Sequence, residues 1–222
     1  MKGARGCRMM LVTRPDYDPG TKYLSSWSQI LIEEARAKGI EVLDLPGTKA
    51  TKSEFEGRLK KKQPSLVVLN GHGNEDCVTG QEGKPLVESK VNAEILSSSV
   101  TYAVSCQSAA RLGREVGGYL NTAYIGYEKK FSILHSHGYF KRPSEDPLAK
   151  PFMDFSNHIV RSLLKGHTVE ESVRRAKEVG ETHLRSLETS LSDPDIQMAA
   201  AFLSRDISCL VAHGDTVKCI IY

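Results

Sequence analysis

Short apolar runs alternate along the chain with segments whose apolar residues recur at helical spacing. Cys7 to Val12 predicts a first strand. Tyr23 to Lys38 predicts a helix, with Trp27, Ile30, Leu31 and Ala35 on one face and Gly39 closing it. Glu41 to Leu45 reads as a second strand. Thr51-Lys52-Ser53-Glu54 is a capping box opening a helix through about Lys62, which Pro64 stops. Ser65 to Asn70 predicts a third strand. Its core, Leu66-Val67-Val68-Leu69, is apolar without a break, as a strand covered on both faces requires.

The polar, glycine-dotted stretch from Gly71 to Gly83 predicts a β-ribbon, and Val91 to Ser97 a short helix. Thr101 to Ser105 is a fourth strand, Ser108 to Leu120 a helix and Thr122 to Tyr127 a fifth strand. Glu128 to Pro151 holds three prolines and a glycine and reads as a long loop. Loops of that length in compact domains are usually functional or mobile. Helices follow over Phe152–Lys165, Thr168–Thr189 and Asp195–Phe202, the middle one opening on a second capping box, Thr168-Val169-Glu170-Glu171. Cys209 to Ala212 and Val217 to Ile221 predict a last pair of strands turning on His213-Gly214-Asp215. The alternation argues for one three-layer α/β domain over residues 1–222, with a mainly parallel central sheet flanked by helices.

Composition narrows the function. The 222 residues are 40% hydrophobic and 26% charged, an ordinary globular balance. A net charge of +3, with the basic residues spread along the chain, gives no argument for nucleic acid. Lys60-Lys61-Lys62 suits a helix C-terminus, where cations are favoured. No apolar run approaches the ~20 residues of a membrane span. The basic start lacks a leader's cleavage region, so no membrane association and a cytoplasmic location are expected. Five cysteines with no CxxC fit neither a disulfide framework nor a zinc knuckle. His72, Cys77 and Cys106 lack a fourth ligand, and no metal or cofactor is expected.

In open parallel sheets, function gathers at the carboxyl ends of the strands. The third strand delivers Asn70-Gly71-His72-Gly73 there, and the fourth delivers Ser105-Cys106-Gln107-Ser108. Alone, a histidine in a turn is usually a surface residue and a cysteine after a strand usually core. Together, on neighbouring strands, they face one crevice as base and nucleophile. A thiolate is the working nucleophile, and the start of the following helix would favour it. Histidine exchanges a proton near neutral pH. The N–H groups of Gly73 and Cys106 can form an oxyanion hole.

These residues resemble the caspase-like cysteine peptidases: caspases, metacaspases, gingipains, clostripain, separase and bacterial CHAT domains. The chain order of the two motifs and the alternation around them are similar, over roughly Cys7 to Asp215. Ala212-His213-Gly214-Asp215 adds a weaker likeness to a late Gly-Asp turn of gingipain and CHAT domains. The spacing of 34 residues from His72 to Cys106 is shorter than the roughly 50 of caspases, so the bacterial branch is the closer resemblance. The resemblance implies a caspase-like fold and cleavage of a protein or peptide substrate through an acyl-enzyme. It implies a Cys106–His72 dyad, with no third member assigned, and leaves room for a regulatory protein partner. Asn70 can either orient His72 or cap the loop.

The resemblance also implies where a first specificity pocket lies. Those places hold Arg14, Asp16 and Asp18, then Val104, then Glu128 with Lys129 and Lys130. Val104 replaces the metacaspase acid, and the caspase glutamine is absent. Asp16, Asp18 and Glu128 can accept a basic residue before the scissile bond, the favoured expectation, whereas Arg14 can accept an acidic one. His135 and His137 read as surface or pocket-rim residues. Glu75-Asp76 supplies too few carboxylates for calcium. Two other classes stay open. One is a catalytically silent module that binds protein. The other is a different thiol enzyme such as an amidotransferase, although its cysteine usually stands between glycines.

Overall fold

The computed structural model describes residues 9–189 and 193–220. Six strands form the central sheet in the order β2-β1-β3-β6-β7-β8. They are β1 (Met9–Arg14), β2 (Glu41–Pro46), β3 (Leu66–Asn70), β6 (Val100–Val104), β7 (Ala123–Tyr127) and β8 (Leu210–Gly214). All neighbours are parallel except β8, which runs antiparallel to β7. A separate two-stranded ribbon pairs β4 (Cys77–Thr79) with β5 (Pro85–Glu88).

The unbroken apolar run in β3 is explained by its two covers. Leu66 and Val68 join the core under α1 (Pro19–Ala37), α4 (Lys150–Leu163), α5 (Val169–Glu188) and α6 (Pro194–Cys209). Val67 and Leu69 join the core under α2 (Lys52–Lys62) and α3 (Leu112–Gly117). Period-2 alternation on a doubly covered strand leaves no polar face, and three layers result. No helix among the described residues is long and apolar enough to cross a membrane.

Several boundaries differ from expectation, each for a local reason. Helix α1 begins at Pro19 rather than Tyr23, because Asp18 caps it and Pro19 suits its first turn. Helix α3 does not begin at Ser108. The Gln107 and Ala109 amides bond the carbonyls of Lys129 and Tyr127, so the chain turns through residues 107–111 first. The ribbon takes its second strand from beyond Gly83. Ala93–Leu96 is a single 3-10 turn, and α6 extends to Cys209. Cys7 and Ile221 lie outside the described residues. Residues 217–220 form no strand; instead the carbonyls of Thr216 and Lys218 accept from the Glu170 and Val169 amides at the start of α5.

The long loop is tied down rather than loose. Asp146 is fully buried and accepts from the Tyr23 hydroxyl and the Ser136 amide, each at 2.7 Å. Trp27 Nε1 donates to the Pro143 carbonyl at 2.9 Å. Both anchors come from the face of α1 that the sequence marks as apolar.

Candidate active site

Helix α1 follows β1 on one face of the sheet, and α2 precedes β3 on the other. The strand order therefore reverses between β1 and β3, the place where open α/β sheets leave a crevice. The loops after β1, β3 and β6 meet there. A cavity of about 120 Å³ lies among them, and His72, Ser105 and Cys106 all line it. The two motifs thus converge on one crevice. A larger cavity, of about 540 Å³, lies between α2 and residues 92–99. It adjoins Pro64 and Ser99, which precede β3 and β6, so it opens at the opposite end of the sheet.

Asp18 holds the histidine. Its Oδ1 accepts the Thr21 amide at 2.9 Å as the cap of α1, and its Oδ2 meets His72 Nε2 at 2.6 Å. Burial raises the Asp18 carboxyl, but the Thr21 amide and His72 outweigh it and hold the group below its ordinary range. An ionised carboxylate only accepts hydrogen bonds, so Nε2 carries the proton and the imidazole lone pair falls on Nδ1. Tyr17 packs edge-on to the ring at 6.1 Å. Asp18, expected at the substrate, contacts His72, for which the dyad reading assigned no third member. The signal was Asp18-Pro19-Gly20-Thr21, a capping box with proline at the first helical position. Asn70 neither orients His72 nor caps the loop: its side chain donates to Thr13 O at 2.7 Å and accepts from Ser28 at 3.2 Å.

Cys106 leaves β6 in a sharp turn. Gln107 has φ 56°, a left-handed conformation that costs a non-glycine residue roughly 1–2 kcal/mol. The Cys106 Sγ donates to Phe131 O at 3.5 Å, a contact only the thiol form makes. Burial pushes the thiol pKa up, and the charge of Asp206 adds to this against Lys130 and Arg205. The expected lowering by a helix start is therefore corrected, since five residues separate Cys106 from a short α3.

The ribbon bonds run from Asn74 N–H to Cys77 O and from Thr79 N–H to His72 O, passing over Gly73. Among the described residues, neither the Gly73 nor the Cys106 amide donates to a protein acceptor. A Cβ on Gly73 would stand 2.2 Å from Ser105 Oγ and 2.5 Å from Cys77 O. Glycine is required there for close approach of the two motif loops.

The other expected pocket residues are engaged elsewhere. Asp16 exchanges hydrogen bonds with the Gln81 side chain. Glu128 pairs with Arg114 at 2.9 Å. Arg14 makes a two-pronged contact with Asp44, at 2.8 and 2.7 Å. Glu75 and Asp76 both pair with Arg111. His135 reaches the crevice wall, stacked on Tyr23 at 4.8 Å, while His137 is exposed.

Sequence reasoning did not find the strap over the cysteine. Phe131 and Ile133 line the crevice, and Ser132 between them is held by Asp206 Oδ2, which accepts its amide at 3.0 Å. Asp206 is wholly buried, and burial raises its carboxyl to about 7 despite the Ser132 amide and Arg205. No family model matches the sequence, and no curated protein matches it.

Proposed function

We propose that the protein is a caspase-like cysteine endopeptidase in which Cys106 is the nucleophile, His72 the proton carrier and Asp18 its orienting partner. One observation carries the reading. A carboxylate-oriented histidine and a cysteine line the same crevice at the switch point of a parallel sheet. The chemistry follows from these groups. The Sγ proton passes to His72 Nδ1 as sulfur bonds to the scissile carbonyl carbon. The amides of Gly73 and Cys106 receive the developing oxyanion. The C–N bond breaks, and the amine leaves with the proton from His72. Water then hydrolyses the thioester, giving its proton to His72, and sulfur regains its own.

Cys106→Ala and His72→Ala are expected to lower hydrolysis of a fluorogenic peptide library by about 10³-fold or more. Their circular dichroism and melting should match the parent. Equal hydrolysis by parent and Cys106→Ala would sink the reading. A second reading has one observation in its favour: the thiol is protonated, bonded to Phe131 O and roofed by the strap. On that reading the module binds proteins without cleaving them. It predicts a Cys106 that iodoacetamide fails to label in the folded protein at pH 8.

A further inference from the structure

The crevice beside Cys106 is apolar where a substrate side chain would enter. Leu24 of α1, Val104 at the end of β6, and Phe131 and Ile133 of the strap form its walls. Phe131 is fixed by its ring contact with Tyr127 at 4.6 Å. The nearby carboxylates are committed. Asp18 serves the helix cap and His72, Asp16 serves Gln81, and Glu128 serves Arg114. A basic side chain placed here would lose its hydration with no open carboxylate on these walls to meet it. An acidic one would meet no free cation on these walls. The crevice is also small, and half-open to solvent. A cavity of roughly 150 Å³ takes a benzene ring, and this one measures about 120 Å³.

We infer that the enzyme selects a medium-sized aliphatic residue, of the leucine or methionine class, immediately before the scissile bond. The inference rests on the peptidase reading and replaces the expectation of a basic residue there. Val104, Phe131 and Ile133 set the preference, and His135 closes the rim. The strap thus has two duties, covering the thiol and shaping the subsite.

The test compares fluorogenic peptides differing only at that residue. Leucine or methionine should exceed arginine, aspartate and tryptophan by about 10-fold or more in kcat/KM. Ile133→Ala opens the wall and should shift preference from leucine toward phenylalanine. Ile133→Asp supplies the missing carboxylate and should raise cleavage after arginine at leucine's expense. Retention of soluble, cooperative unfolding in Ile133→Ala guards against misfolding of the charged variant. Preferential cleavage after arginine or aspartate by the parent overturns this inference and leaves the peptidase reading standing. An unchanged preference in folded Ile133→Ala also overturns it. Failure of every peptide, with Cys106→Ala indistinguishable from the parent, overturns both.

Discussion

Asp18 bonds His72, Asp206 bonds Ser132 between two residues of the crevice wall, and the two acids are driven to opposite states. Asp18 stands at the start of α1, partly exposed, with one oxygen on a helix amide and the other on His72. Asp206 lies near the end of α6, wholly buried, with one backbone amide and a guanidinium contact at 3.3 Å. Both carboxylates lose hydration. Only Asp18 regains enough from its donors to fall below the ordinary range, whereas Asp206 rises to about 7. The donors around a buried acid decide its charge, and that charge decides its use. A permanent anion can fix a histidine tautomer. An acid that titrates near neutrality holds a strap whose stability depends on pH.

The sharpest way to break the comparison is Asp18→Asn. Asparagine is as good a helix cap, so the Thr21 amide stays satisfied and stability should hold. Its amide, however, can offer Nδ2 to His72 once Oδ1 is used on the cap. Nε2 must then accept, and the imidazole proton moves to Nδ1, the nitrogen that has to take the thiol proton. A wrong tautomer is expected to lower kcat/KM by about 10³-fold or more, with little change in melting temperature. Retained activity in Asp18→Asn would show that the 2.6 Å contact holds the histidine without setting its proton.

Asp206 should reveal itself through stability against pH. Its folded pKa lies above its unfolded value, so folding favours the protonated form. The stabilising contribution is complete below about pH 4 and is lost as pH rises through about 7. A rise to about 7 corresponds to about 4 kcal/mol. Asp206→Asn can still accept the Ser132 amide, and its unfolding free energy should stay flat over the same interval in urea titrations. Removing that charge should also move the pH profile of Cys106 alkylation downward, because Asp206 helps to raise the thiol. Identical pH profiles for parent and variant would mean that the acid is paired more strongly than the Arg205 contact provides.

These two acids were unequally legible in the sequence. The layers, the parallel sheet and the convergence of His72 with Cys106 follow from unbroken apolar runs alternating with helical segments and from strand-end placement, both local properties of the chain. Asp18 was visible as a polar residue after β1, but its role needed the capping box to be read with His72, 54 residues away. Asp206 offered no signal. It falls at the end of a helix whose pattern faded after Phe202, and its partner amide belongs to a loop 74 residues earlier. The expected helix after Cys106 failed for a related reason. Its propensity was adequate, but its first amides were claimed by carbonyls at the end of β7. The surface partners of Asp16 and Glu128, Gln81 and Arg114, come from other elements and had no local signal in the sequence.

A second capping box supplies the control that separates cap from catalysis. At α5, Thr168 accepts the Glu171 amide and Glu171 returns a bond to the Thr168 amide, each at 3.1 Å. This matches the Asp18–Thr21 arrangement at α1, and the histidine it meets, His167 at 3.6 Å from Glu171, does not line the crevice. Loss of either cap leaves helix amides short of an acceptor, at about 1 kcal/mol. In a chain of this size that lowers the melting temperature by about 2–4 °C. Thr168→Ala should sit at the smaller end, because Thr216 and Lys218 carbonyls already hold the Glu170 and Val169 amides beside it. Asp18→Ala and Thr168→Ala should therefore melt within a few degrees of each other, read by calorimetry, while only Asp18→Ala loses peptide hydrolysis. If Thr168→Ala lost activity as well, helix-end fraying alone would account for the effect at Asp18. The carboxylate would then be a cap that happens to touch a histidine.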